Sequence, residues 1–84
     1  MNDGLWHRRT QTELLISKLR EARAERRGLE LPEIMCLGIA QHGARMKELR
    51  DRGFVIVNEL ESKDGRLHSR YWLFSDPERD GEQQ

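Results

Sequence analysis

The sequence predicts a small α+β domain in which helices come first and a two-stranded β-hairpin follows. Three observations indicate this order. Apolar residues recur at helical spacing early in the chain, residues 31–53 divide into a short and a longer helical segment at Gly38, and Asp64-Gly65 is a hairpin-turn signal between two strand-like runs. With 84 residues, the chain has room for one domain with a small core.

The first predicted helix begins at Thr10, because Thr10 and Glu13 match a capping box. Its predicted core face has the spacing of one helix side: Leu15, Ile16, Leu19 and Ala22. Gly28 is the predicted end. Residues 1–9 lack periodicity, so we expect a flexible basic arm there.

Residues 29–31 alternate in polarity and are predicted to add a minimal third strand to the later hairpin. Pro32 suits the first position of a short helix, and Gly38 ends that helix in a sharp turn. A longer helix is predicted over about residues 40–52, with Gly53 as its stop.

An angular count at 100° per residue divides this longer helix into two sides. The predicted core side carries Ile39, His42, Gly43, Met46, Leu49 and Arg50. The predicted open side carries Gln41, Ala44, Arg45, Glu48 and Asp51.

The hairpin is predicted from a β-branched run at residues 54–57 and a return strand at about residues 67–74. Alternation places Tyr71 and Leu73 on the core face, together with Phe54 and Ile56. Trp72 and Phe74 then lie on the other face. Residues 75–84 are acidic and contain no apolar side chain, so they are predicted to be a disordered tail.

Charge is distributed unevenly, although the net charge is zero. The first 73 residues contain 14 Lys or Arg and 11 Asp or Glu, and the last 11 residues contain one and four. A mildly basic body permits DNA binding without requiring it. No apolar run is long enough for a membrane span, and a single cysteine, Cys36, agrees with a reducing cytoplasm.

Helices followed by a hairpin suggest a winged helix-turn-helix, and several short motifs resemble one compact family of that fold from bacterial and phage-derived small proteins. The matching residues, within roughly residues 12–74, are Leu37-Gly38-Ile39, Arg45-Met46, Leu49-Arg50, Arg52-Gly53-Phe54, Ile56 and Tyr71-Trp72-Leu73. The resemblance implies a domain over residues 10–74 that binds double-stranded DNA, as in a small transcriptional regulator or a mobile-element accessory protein. Ala40 departs from the usual Ser or Thr cap, and Gly43 replaces a helix-favouring alanine.

On this interpretation the third helix enters the major groove and the hairpin wing meets the DNA backbone or minor groove. The base-reading candidates are Gln41, Ala44, Arg45 and Glu48. The backbone candidates are Arg8, Arg9, Lys47, Lys63, Arg66, His68 and Arg70.

The alternative is a winged helix that binds a protein partner or a second copy of itself without touching DNA. Its candidate interface residues are the aromatic side chains of Trp6, Trp72 and Phe74. An enzyme is not expected, because Cys36 lies among apolar residues as a buried thiol would, and the three histidines lack metal-ligand spacing. No cofactor, metal or small-molecule ligand is predicted.

Overall fold

Three helices and three strands alternate along the chain in an α+β arrangement. The computed structural model describes the backbone of residues 3–80 and the side chains of residues 10–80. The elements are α1 (Asp3–Ala24), β1 (Leu29–Glu30), α2 (Leu31–Cys36), α3 (His42–Asp51), β2 (Val55–Lys63) and β3 (Arg66–Ser75). In this part of the chain, no helix has the length and apolar character that crossing a membrane requires.

The strands form one antiparallel sheet in the order β1-β3-β2. Leu29 lies opposite Tyr71, and Ile56 lies opposite Leu73. Asp64 and Gly65 both have positive φ, 54° and 73°, which is the backbone of a two-residue type I′ turn. The predicted hairpin and the minimal third strand are therefore confirmed.

One apolar core joins the helices to the sheet, and it contains all four apolar residues predicted for the first helix. Tyr71, Leu73, Phe54 and Ile56 are also buried, so the predicted core face of the hairpin is confirmed. The remaining core residues are Leu29, Ile34, Ile39, Met46 and Leu49.

The start of α1 differs from the prediction. The helix is already formed at Asp3, so the predicted Thr10–Glu13 capping box is wrong. Thr12 is buried and donates to the Glu48 carboxylate at 2.5 Å, while Glu13 pairs with Arg52 at 3.1 Å. Thr12 and Glu13 therefore make tertiary contacts, which spacing along the sequence does not reveal. The backbone of residues 3–9, expected as an arm, continues α1; the side chains of Trp6, Arg8 and Arg9 lie outside the described residues.

The acidic segment after β3 also differs from the expected disordered tail. Residues 76–80 form a turn, called here the C-terminal turn, that packs against α1. Asp76 is fully buried and accepts a bidentate hydrogen bond from Arg20, and Asp80 pairs with Arg23 at 2.9 Å. Disorder was expected because the segment lacks apolar residues. That expectation is wrong for residues 76–80, because ion pairs and hydrogen bonds to charged groups hold this turn. Residues 81–84 lie outside the described residues.

Candidate nucleic-acid interface

The start of α3 is set by backbone geometry. Gly38 has φ of 74°, and Gln41, the N-cap residue, has the left-handed φ and ψ of 53° and 57°. No side chain caps the helix; the Gln41 carbonyl accepts the first bonds, from the backbone N–H groups of Ala44 and Arg45. The cap position is therefore Gln41 and not Ala40, and the helix begins at His42 rather than near Ala40.

The open side of α3 is not the predicted one. Met46 and Leu49 are buried as predicted, but Gly43 and Arg50, predicted for the core side, are exposed. The exposed residues of the helix are Gly43, Lys47, Arg50 and Asp51. Ala44, Arg45 and Glu48, predicted to face outward, are half-buried. The angular count followed the apolar residues alone, whereas the buried side of α3 also includes the ion-paired Arg45 and the Glu48 carboxylate that accepts from Thr12.

Arg45 and Glu48 lie in the contact between α1 and α3. The Arg45 side chain is only 12% exposed, and its Nη2 pairs with a Glu48 carboxylate oxygen at 3.0 Å. Its Nε atom is buried without a hydrogen-bond partner among the described residues. The other Glu48 oxygen accepts from Thr12, so Glu48 ties α3 to α1, while Arg45 pairs with Glu48 within α3.

Two contacts fix α3 against the hairpin. At its start, the His42 and Tyr71 rings meet edge to face with 6.2 Å between centroids. At its end, the Arg50 guanidinium donates to the Ile56 carbonyl from Nη2 at 2.9 Å and from Nε at 3.2 Å. Tyr71, which contacts the start of α3, lies opposite Asn58 on β2. From this pair the hairpin continues to its turn, past the start of α3. We call this distal part, residues 59–70, the wing.

The cations at the end of the wing are open to solvent. Lys63 and Arg66 lie opposite each other beside the turn, and both are exposed, as is His68. Within the described residues, neither Lys63 nor Arg66 has a carboxylate partner. On α3, Lys47 is also exposed and pairs with Asp51 at 3.1 Å.

Arg70 has a different environment, although it belongs to the same strand. Its guanidinium lies 3.1 Å from Glu61, 3.4 Å from Glu59 and 3.6 Å from Glu30. Three carboxylates around one cation leave this part of the wing with a local excess of negative charge. A phosphate would be repelled here, so this placement disfavours Arg70 as a backbone contact.

Trp72 and Phe74 lie on the sheet face that points away from the core, as predicted. Phe74 is 59% exposed, whereas Trp72 is half-buried and its Nε1 donates to Glu59 at 2.8 Å. Trp72 and Arg70 both lie close to Gly28: a Cβ on this glycine would be 3.0 Å from the indole and 2.6 Å from Arg70 Cγ. The missing side chain at residue 28 lets both lie flat across the sheet.

Cys36 was expected to be buried, and this is wrong, because its side chain is exposed at the end of α2. The neighbouring Ile34 takes the core position of this short helix instead. Over the side chains of residues 10–80, no group of three His, Cys, Asp or Glu residues is placed to hold a metal ion.

These elements define the chain as a small α+β domain of three helices and a three-stranded antiparallel sheet. No protein-family model matches the chain, and comparison with curated proteins and with solved structures gives no match.

Proposed function

We propose that the chain is a winged helix-turn-helix protein that acts by binding double-stranded DNA rather than by catalysis. One observation carries the proposal. The start of α3 is held against the middle of the hairpin, and the hairpin continues past it to a tip with two exposed cations, Lys63 and Arg66. An exposed helix start beside a projecting cationic hairpin suits simultaneous contact with a groove and the adjacent phosphates.

The contact set proposed on this geometry is smaller than the one predicted from sequence. It keeps Gln41, which is exposed at the N-cap, and Lys47, and it adds Gly43, where the lack of a side chain allows close approach. The wing contributes Lys63, Arg66 and His68 to the phosphate backbone. Arg45, Glu48 and Arg70 leave the set because their side chains are half-buried and their charged groups are bound within the protein. Lys47 stays, because its side chain is 76% exposed although it pairs with Asp51.

Binding of a fluorescently labelled duplex, followed by anisotropy at low salt, tests the proposal. We expect affinity to fall steeply as salt rises, because each phosphate contact releases counterions. Replacement of one phosphate-contacting cation, in Arg66→Ala or Lys63→Ala, is expected to weaken binding by roughly three- to tenfold at low salt and to reduce the salt dependence.

Arg79→Ala is the matched control. Arg79 is exposed, and its replacement by alanine removes the same charge as Arg66→Ala. It lies on the C-terminal turn beside Ser17 and Ala24 of α1. Its replacement is expected to change affinity little. No measurable binding at about 50 mM salt, or equal losses in Arg66→Ala and Arg79→Ala, would overturn the proposal.

A further inference from the structure

The face of the β2–β3 ribbon that points away from the core, called here the outer face, has two columns of side chains. Residues directly opposite each other on paired strands share a face, so the register assigns both columns. On β2 the column is Val57, Glu59, Glu61 and Lys63. On β3 the residues opposite them are Trp72, Arg70, His68 and Arg66, and Phe74 extends the column at the base of the hairpin.

The two columns are complementary in chemistry at three levels, whereas at the fourth, beside the turn, Lys63 lies level with Arg66. Val57 faces across to the indole of Trp72, Glu59 lies level with Arg70, and Glu61 lies level with the imidazole of His68. At these three levels β2 carries the acids, and β3 carries the cation and the ring nitrogens. A surface of this kind can bind a copy of itself if a symmetry operation exchanges the columns.

We propose that the outer face binds the outer face of a second copy of this chain, around a two-fold axis that runs parallel to the strands between β2 and β3. Such an axis preserves the level along the strands and places each β2 column over the β3 column of the other copy. Trp72 then covers Val57 of the second copy, Arg70 meets its Glu59, and His68 meets its Glu61. Each contact occurs twice.

The exposure of two apolar side chains supports a second copy of the chain as the partner of the outer face. Val57 and Phe74 are 40% and 59% exposed, which is unusual for apolar side chains next to each other on a sheet. Face-to-face sheets pack with their strands nearly aligned, as the axis requires. Gly28 favours this packing, because Trp72 and Arg70 lie flat over a residue without a side chain and so leave room for a second sheet.

Size determines the strength of the contact. A ribbon of two strands nine residues long covers about 300 Å² in plan, while a standard stable interface buries about 800 Å² per partner. The dimer is therefore weak, and it forms at high micromolar concentrations. In the dimer both wing tips point in the same direction. The twisted sheets diverge towards the tips, so water separates and screens the like charges there.

Sedimentation equilibrium of the full chain from about 10 µM to about 1 mM covers this range. We expect concentration-dependent dimerisation, and we expect Phe74→Ser to raise the dimer dissociation constant by roughly tenfold, as loss of an aromatic anchor does. Phe74→Ser removes an exposed side chain, and circular dichroism checks that the variant folds.

Two charge reversals test the axis itself. Glu59→Arg gives an outer face with cations on both columns, and Arg70→Glu gives one with acids on both columns, so each variant alone is expected to dimerise less than the wild type. Mixed in equal amounts, they are expected to form a heterodimer close to wild-type strength, because both contacts between residue 59 of one copy and residue 70 of the other are then between opposite charges. The ion pair within each chain stays broken in both variants, so only contacts between chains restore association.

Three results would overturn the proposal. The first is a monomer throughout the concentration range. The second is a dimer that Phe74→Ser leaves unchanged, which would place the contact on another surface. The third is a mixture of the two charge variants that associates no better than either variant alone.

Discussion

At the scale of single residues, Asp76 makes the strongest energetic argument. Its carboxylate is fully buried, and a buried charge is tolerated only when it is paired and hydrogen-bonded. Arg20 donates to it from Nε at 2.6 Å and Nη2 at 3.1 Å, and the backbone N–H groups of Glu78 and Arg79 donate at 3.0 and 3.2 Å. Among the acids that pair with α1, Asp76 is therefore the buried anchor of the C-terminal turn, whereas Glu78 and Asp80 are partly exposed.

Asp76→Ala is expected to lower the free energy of unfolding by about 3 kcal/mol, because it leaves Arg20 without its main partner and the turn without its anchor. Urea denaturation measures this change. Glu78→Ala is the control: Glu78 also pairs with Arg20 but is half-exposed, so its loss is expected to be much smaller. Equal losses in the two variants would contradict the assignment of Asp76 as the anchor.

Two glycines predict opposite effects of the same substitution. At Gly28 an added Cβ would meet Arg70 Cγ at 2.6 Å, so Gly28→Ala is expected to cost about 1–3 kcal/mol through overpacking. At Gly43, in α3, nothing lies within 4 Å of the Cβ position and φ is not positive, so Gly43→Ala is expected to stabilise by about 0.5–1 kcal/mol. Thermal unfolding of both variants gives the signs; a stabilising Gly28→Ala would show that the side chains over residue 28 move aside.

At the scale of elements, the C-terminal turn links stability to pH. Its pairing with Arg20 holds the pKa of Asp76 below the ordinary value of 3.8, and Arg52 and Arg23 lower the pKa values of Glu78 and Asp80 in the same way. For each group, ionisation in the folded state persists to lower pH than in the unfolded state. The stabilisation is present above pH 4.5, the ordinary Glu pKa, and is lost as the pH falls through the lowered folded-state pKa values.

Thermal unfolding is therefore measured between pH 7 and about pH 2. The melting temperature is expected to decrease once the pH falls below about 4. In Asp76→Asn the drop is expected to be shallower, because one of the titrating groups is absent and the variant is already destabilised at pH 7. A wild-type melting temperature that stays level down to about pH 2 would contradict these pKa shifts.

Among the elements, α1 and the hairpin were predictable, whereas the orientation of α3 was not. Leu15, Ile16 and Leu19 mark a clear stripe on α1, and alternation assigns the faces of β3. In contrast, α3 has only two buried apolar residues, Met46 and Leu49. With so few, its rotation depends on polar contacts such as that between Thr12 and Glu48, which join residues 36 positions apart.

At the scale of the whole molecule, charge is arranged in local clusters and not as a general field. Arg20 and Arg52 both place their guanidinium groups over the Phe54 ring, at 5.5 and 5.4 Å, and both pair with Glu78. The surplus cations at the wing tip, Lys63 and Arg66, continue the outer face beyond Glu61 and His68, and His68 belongs to both proposed contacts. The proposed DNA contact and the proposed self-association are tested at different residues: the first at Lys63 and Arg66, the second at Glu59, Arg70 and Phe74.

The sequence by itself determined the order of the helices and strands, the hairpin turn and most of the core, because each depends on local periodicity or on one turn residue. Only the tertiary structure decided which cations are available: Arg45 and Arg70 look as exposed in the sequence as Arg66, yet the Arg45 side chain is largely buried and paired with Glu48 of the same helix, and Arg70 pairs with Glu61 across the sheet. It also decided the fate of residues 76–80. Ion pairing between distant residues leaves no periodic signal, so it requires the folded chain to be seen.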